Sequence, residues 1–184
     1  AFRDTVPIGN DALNGASITT GPDGICDTTA KSTDTHSTDV ADADIKAYLS
    51  KVYGQAVMEW TVTKLPAVTV NFDLNRDGKI DDDSWMTSEM QAVRDAAKDD
   101  SKDCNIFLVD NPSYGGSGFM DLNQRYGYVY ADISSNPGRS VAHELGHGAF
   151  GLEHTPDADL DNVMYRNAGN HWRLRKDQWQ SIQP

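Results

Sequence analysis

The stretch His143-Glu144-Leu145-Gly146-His147-Gly148-Ala149-Phe150-Gly151-Leu152-Glu153-His154 decides how this chain is read. Residues four apart share a helix face, so His143 and His147 can offer two imidazole nitrogens to one metal ion. Glu144 stands about a quarter-turn round the helix, within reach of a metal-held water without being a ligand. Gly151 can end the helix in a left-handed turn and bring back His154 as a third ligand. Three neutral imidazoles with one open position suit catalytic zinc, whereas a structural zinc site closes with a fourth protein ligand. The competing reading is an amphipathic helix with solvated histidines. With 5 His in 184 residues, a chance His-Glu-x-x-His arises on the order of 0.3 per cent of the time, so zinc is preferred.

The composition narrows the class. Sixteen basic against 28 acidic side chains give a net charge of -12, which speaks against nucleic acid and anionic membranes as partners. No apolar run approaches membrane-spanning length, so no membrane insertion is expected. The length fits one domain. Most of the acid is Asp, which favours caps, turns and calcium loops and marks a loop-rich chain. Cys26 and Cys104 are read as one disulfide or two free thiols, with the disulfide favoured in a chain of extracellular character. No basic stretch followed by an apolar one opens the chain, so no targeting peptide is read in it.

Residues 1–41 read as an irregular N-terminal arm, with Ala16-Ser17-Ile18-Thr19 a candidate edge strand, 27–39 a solvated linker and His36 exposed. Order begins with an amphipathic helix over 42–56, capped by Asp42 or Asp44. Alternation predicts strands at Met58-Trp60-Val62 and Val68-Val70-Phe72, then a short helix near 87–98. Ile106 to Val109 reads as a central strand, 112–123 as a flexible loop and Tyr126 to Tyr130 as a strand. The zinc helix opens at Arg139 or Ser140, and Leu174 to Ile182 forms a final helix.

The sequence His-Glu-x-x-His, with a Gly and a third His beyond it, resembles the metzincin clan of zinc endopeptidases. His143, Glu144 and His147 match the clan's motif, while Gly151 and His154 fall one residue late. Phe150 holds the clan's Gly position, so the helix either runs one residue further or ends in a tighter turn. Asp161-Asn162-Val163-Met164-Tyr165 is similar to the clan's methionine turn, with Met164 matching its Met. Arg166 stands where some branches place a Tyr, so no tyrosine ligand is carried over. The resemblance implies an α+β fold: a twisted mixed sheet, an active-site helix, a methionine turn and a C-terminal helix. It spans residues 42–184 as one metalloprotease domain, and it implies an antiparallel edge strand before the zinc helix, along which an extended substrate lies. The chain also resembles metalloprotease-type domains of secreted bacterial proteins, which implies a secreted monomer acting on protein or peptide. In some relatives a cysteine covers the zinc, which would give Cys26 a latching role.

The implied mechanism is hydrolysis by a zinc-bound water, with Glu144 as general base and then acid. No Gly-x-Ser-x-Gly motif occurs, and neither Cys lies beside a His, so a serine or cysteine hydrolase lacks support. A zinc hydrolase of a non-peptide amide keeps the same chemistry. A different class is a calcium-binding adhesin-like or structural module. Asp73, Asn75, Asp77 and Asp81 fall at positions 1, 3, 5 and 9 of a calcium loop, with Gly78 at the sharp turn and Lys79 giving a carbonyl. The closing carboxylate is missing at Ser84 and would come from Asp82, Asp83 or Glu89; the alternative is an Asp-rich turn.

Overall fold

Two strands with apolar side chains on both faces set the layers of the molecule. The computed structural model describes residues 40–183 apart from 66, 67, 71, 76, 84, 85 and 168, with backbone alone at 69 and at the strands of 6–8, 19–20 and 26–27. In chain order come strands β1 (Val6–Ile8), β2 (Thr19–Thr20) and β3 (Cys26–Asp27), then helix α1 (Asp42–Tyr53) with a 3₁₀ turn (Gly54–Ala56). Strand β4 (Val68–Val70), helix α2 (Ser88–Ala97) and strands β5 (Asn105–Val109), β6 (Gly118–Phe119) and β7 (Tyr126–Tyr130) follow. Helices α3 (Pro137–Phe150) and α4 (Lys176–Ile182) complete an α+β arrangement.

β5 and β7 run parallel, with Phe107 beside Tyr128 and Leu108 beside Val129, and β6 pairs antiparallel on the other side of β7. Alternation along the two long strands feeds two cores. Leu108 and Val129 pack with Leu49, Val52 and Tyr53 of α1 and with Ala142 and Leu145 of α3. Phe107, Val109, Tyr128 and Tyr130 pack on the opposite side with Phe72, Ile80 and the α2 residues Met90 and Val93. A hydrogen bond from the Tyr53 hydroxyl to the Ala142 carbonyl (2.6 Å) ties α1 to α3 inside the first core.

The helices expected at 42–56, 87–98 and 174–182 are present as α1 with its 3₁₀ turn, α2 and α4. α1 is preceded by Ala41, which makes no side-chain cap, and Asp42 and Asp44 sit in the first turn, where they favour the helix dipole. α2 is capped by Thr87, whose Oγ1 accepts from the Met90 amide (3.1 Å).

The strands depart from expectation in three places. Among the described residues β7 is the middle of three paired strands and not an antiparallel edge, while β5, expected in the centre, pairs with β7 on one side. Residues 112–123, read as a flexible loop, contain β6, which is two residues long and leaves no periodicity to detect. Met58, Trp60 and Val62 form no strand: residues 58–65 are irregular, and their apolar side chains pack on the α1–α3 core instead of pairing. Trp60 lies 5.6 Å from the Tyr53 ring and 5.9 Å from Phe150.

The arm is not irregular throughout, since β1 pairs antiparallel with β4, and β2 with β3. Of the strand piece expected at 16–19 only Thr19 is described, in β2, and of the linker expected at 27–39 only Asp27, in β3; the rest of both, His36 included, lies outside the described residues. Among the described residues no helix is long and apolar enough to cross a membrane.

Candidate metal centre

Helix α3 starts earlier than its sequence suggested. Asn136 accepts from the Arg139 amide (3.0 Å) and Pro137 takes the first helical position, where its missing N–H costs nothing. Residues 138 to 148 are all buried, which carries His143, Glu144 and His147 into the interior. The helix then runs through Phe150 and ends at Gly151, whose φ of +61° is the left-handed turn expected there. The one-residue shift of His154 is thus absorbed by a longer helix.

The Gly151 amide closes onto the His147 carbonyl (3.0 Å) and the Leu152 amide onto that of Gly146 (2.9 Å). This reversal brings His154 to the two helical histidines. The three Nε2 atoms stand 3.1 Å (His143 to His154), 3.2 Å (His143 to His147) and 3.2 Å (His147 to His154) apart. Nitrogens at zinc-like distances from one tetrahedral ion stand about 3.3 Å apart, so the triangle fits a single cation with little adjustment.

The tautomers fit as well. His143 Nδ1 lies 2.7 Å from the Val163 carbonyl and His147 Nδ1 2.6 Å from the Leu152 carbonyl. A carbonyl can only accept, so each Nδ1 carries the proton and each Nε2 turns a lone pair inward. Burial drives both rings toward the neutral form, His147 down to about 4 and His143 well below the ordinary histidine range. His154 is lowered too, by its partial burial and by Arg166 and Arg139. Among the described residues these three form the one group of His, Cys, Asp or Glu able to gather ligand atoms within 4.8 Å. His143 and His147 are buried and His154 is exposed, so the site has one open side.

Glu144 is buried, and no protein donor meets its carboxylate among the described residues. Burial raises it to about 8, against the pull of the Arg139 guanidinium. A bound cation would draw it down again. Met164 is fully buried, and its sulfur occupies the place a Cβ on Gly146 would take, Gly146 standing between His143 and His147 in sequence. The Tyr165 hydroxyl accepts from Asn167 (2.9 Å) and its ring packs edge-on against His171 (5.2 Å), with no bond to the histidine cluster.

Three supporting groups were not singled out in the sequence. Arg139, one turn before His143 and 3 % exposed, donates to the Val163 and Tyr165 carbonyls, bracing the turn that orients His143. Asn162 bonds Gln178 of α4 (2.9 Å) and accepts from the Met164 amide (2.9 Å). The i, i+4 spacing of Arg139 and His143 was a usable signal, whereas the carbonyls of Leu152 and Val163 leave none.

The Asp-rich loop is also built, though differently. Asp73 is buried and accepts from the Asp77 (3.0 Å) and Gly78 (2.9 Å) amides, and Gly78 takes φ +77°. Asn75 accepts from the Asp77 amide (2.9 Å) and Asp77 from that of Lys79 (2.9 Å), while the Asn75 side-chain Nδ2 donates to Asp81 (3.4 Å). The carboxylate that reaches the loop is that of buried Glu89, which accepts from Leu74 (2.7 Å) and Asp81 (2.8 Å); Asp82 turns instead to Ser113 (2.9 Å). These oxygens cap the turn's own amides, and the loop carboxylates do not gather as the histidines do. Cys104 is half-buried and, among the described residues, a free thiol, while the side chain of Cys26 lies outside them, and with it the expected disulfide and latch.

Three outcomes follow. Arg139→Met loosens the Val163 turn, and competition with a chelator should show metal affinity falling roughly 10- to 100-fold. In the metal-free chain the histidines stay neutral in the fold but accept protons when unfolded, so their stability contribution is present above the ordinary 6.5 and lost as pH falls toward about 4. Glu144 acts oppositely, holding in the fold a proton that the unfolded chain releases, so stability declines as pH rises from 4.5 through about 8. With three groups against one, melting of the metal-free chain should peak at about pH 6 to 7 and drop on the acid side, and metal should flatten the drop. For the loop, a melting temperature that rises with millimolar calcium in the parent but not in Asp77→Ala bears out calcium, and no change in either leaves a turn.

No protein-family model matches the chain, and neither a curated protein nor a solved structure does, so the functional reading rests on the site itself.

Proposed function

We propose that the chain is a zinc-dependent endopeptidase of metzincin type. One observation supports this above the others: three neutral imidazoles, two on α3 and one from the reversal beyond it, converge their Nε2 atoms, open on one side, and α3 also carries a buried glutamate that meets no donor among the described residues. Zinc held there supplies a Lewis acid that polarises a carbonyl and acidifies water. The chain does the rest. Val163 and Leu152 hold the His143 and His147 rings in the ligating tautomer. Glu144, with no competing donor, takes a proton from the attacking water and passes it to the leaving amine. No side-chain nucleophile takes part. The exposure of His154 supports access from solvent, and the substrate proposed is a protein or peptide. A non-peptide amide would be attacked in the same way, and the choice is decided by what is cleaved.

The test uses purified parent and Glu144→Ala. The parent should carry about one equivalent of zinc and cleave a denatured protein, losing that activity to a chelator. Glu144→Ala should keep the zinc and lose roughly 10²- to 10⁴-fold or more in rate, because a proton shuttle is removed and no metal bond. Full activity in the variant rules the mechanism out.

A further inference from the structure

Resting on the reading of Glu144 as the general base, we infer that Gly118 of β6 is a positioning residue, present to leave the space that the Glu144 carboxylate occupies. A Cβ added at Gly118 would lie 2.5 Å from Glu144 Oε1 and 2.9 Å from both Cδ and Cγ. Its backbone is not left-handed, so conformation alone would admit any residue. The demand for glycine comes from the glutamate.

Neither backbone can step aside. β6 is fixed to the sheet, with Gly118 opposite Val129 and the Tyr130 amide on the Ser117 carbonyl (3.2 Å). Beyond β6, the Met120 side chain fills the places that Cβ atoms on Gly127 and Gly148 would take. The Asn123 amide bonds the His147 carbonyl (3.0 Å), and its side chain sits 2.6 Å from where a Gly151 Cβ would be. Residues 117–123 are therefore held to β7 at one end and, at the other, to the C-terminal half of α3 and its cap, at positions 147, 148 and 151. The helix is held in turn, since His143 and His147 are bonded to Val163 and Leu152. A methyl group at 118 can be accommodated only by turning the Glu144 carboxylate away from its present position. Such a change leaves the three nitrogens untouched and spoils the proton transfer.

The experiment compares parent, Gly118→Ala, Glu144→Ala and the double variant in the zinc-loaded form, on a peptide the parent cleaves. Gly116→Ala is the control, because its Cβ would meet nothing nearer than 3.8 Å. Gly118→Ala should keep its zinc and melting temperature with KM within a few-fold, while kcat falls about 100-fold, the scale of a misplaced catalytic group. In the double variant the losses should not add, leaving it within about twofold of Glu144→Ala, since there is then no carboxylate to displace. Gly116→Ala should match the parent. Full kcat in Gly118→Ala, loss of zinc or of folding with it, or additive losses in the double variant overturns the inference. An active Glu144→Ala overturns instead the reading on which it rests, so the two failures are told apart.

Discussion

Two hydrogen bonds set the conditions the rest of this molecule meets: His143 Nδ1–H to the Val163 carbonyl and His147 Nδ1–H to the Leu152 carbonyl. Without them each buried imidazole could place its proton on either nitrogen and turn about its bonds, and the three Nε2 lone pairs would have no reason to converge. Each bond needs a carbonyl held still at a site remote from the helix face that uses it. Leu152 is held by the reversal at Gly151, which costs one residue in a left-handed conformation. Val163 is held from several sides, by Arg139 at its oxygen and by the Arg173 carbonyl at its amide (2.9 Å). Burying an arginine is expensive unless its donors are used, and here Nη2 serves two carbonyls in the turn.

The four residues on which the proposal rests were legible from the motif, His143, Glu144 and His147 at helical spacing and His154 beyond the glycine that ends the helix. The shift of Gly151 and His154 was visible too, and the geometry resolves it in favour of a helix one residue longer, ending where glycine allows. What sequence could not supply was strand order. Alternation says which side chains share a face, but β5, β6 and β7 are ordered by pairings between residues far apart, and a two-residue strand has no pattern. The 58–65 segment shows the converse, for alternating apolar residues can satisfy themselves by packing alone. Backbone carbonyls are silent in any sequence, so the half of the centre they provide emerges only with the fold. Glu89 is intermediate: it was one of three carboxylates considered for the Asp-rich loop, and its burial on α2 singles it out.

Glycines on α3 show a second way in which sequence conceals structure. Gly146 and Gly148 look like weaknesses in a helix by propensity. Each is instead a place where another segment comes closer than a side chain would allow, Met164 at one and Met120 at the other. The helix gives up intrinsic stability for close packing on two sides, which holds a buried polar cluster in register.

The bond between Asn162 and Gln178 makes the last helix a mechanical part of the centre. Gln178 Oε1 also caps the start of α4 by accepting from the Arg175 amide (2.8 Å), so one side-chain amide both begins the helix and grips the turn. From Gln178 the path runs through Asn162 to the neighbouring Val163 carbonyl and on to His143. α4 has seven residues, and with Ile182 seated in the main core it behaves as a short lever with its fulcrum at residue 178. Lifting this helix would act on the turn that orients His143, so a segment beyond the histidine motif shares in holding that ring in place.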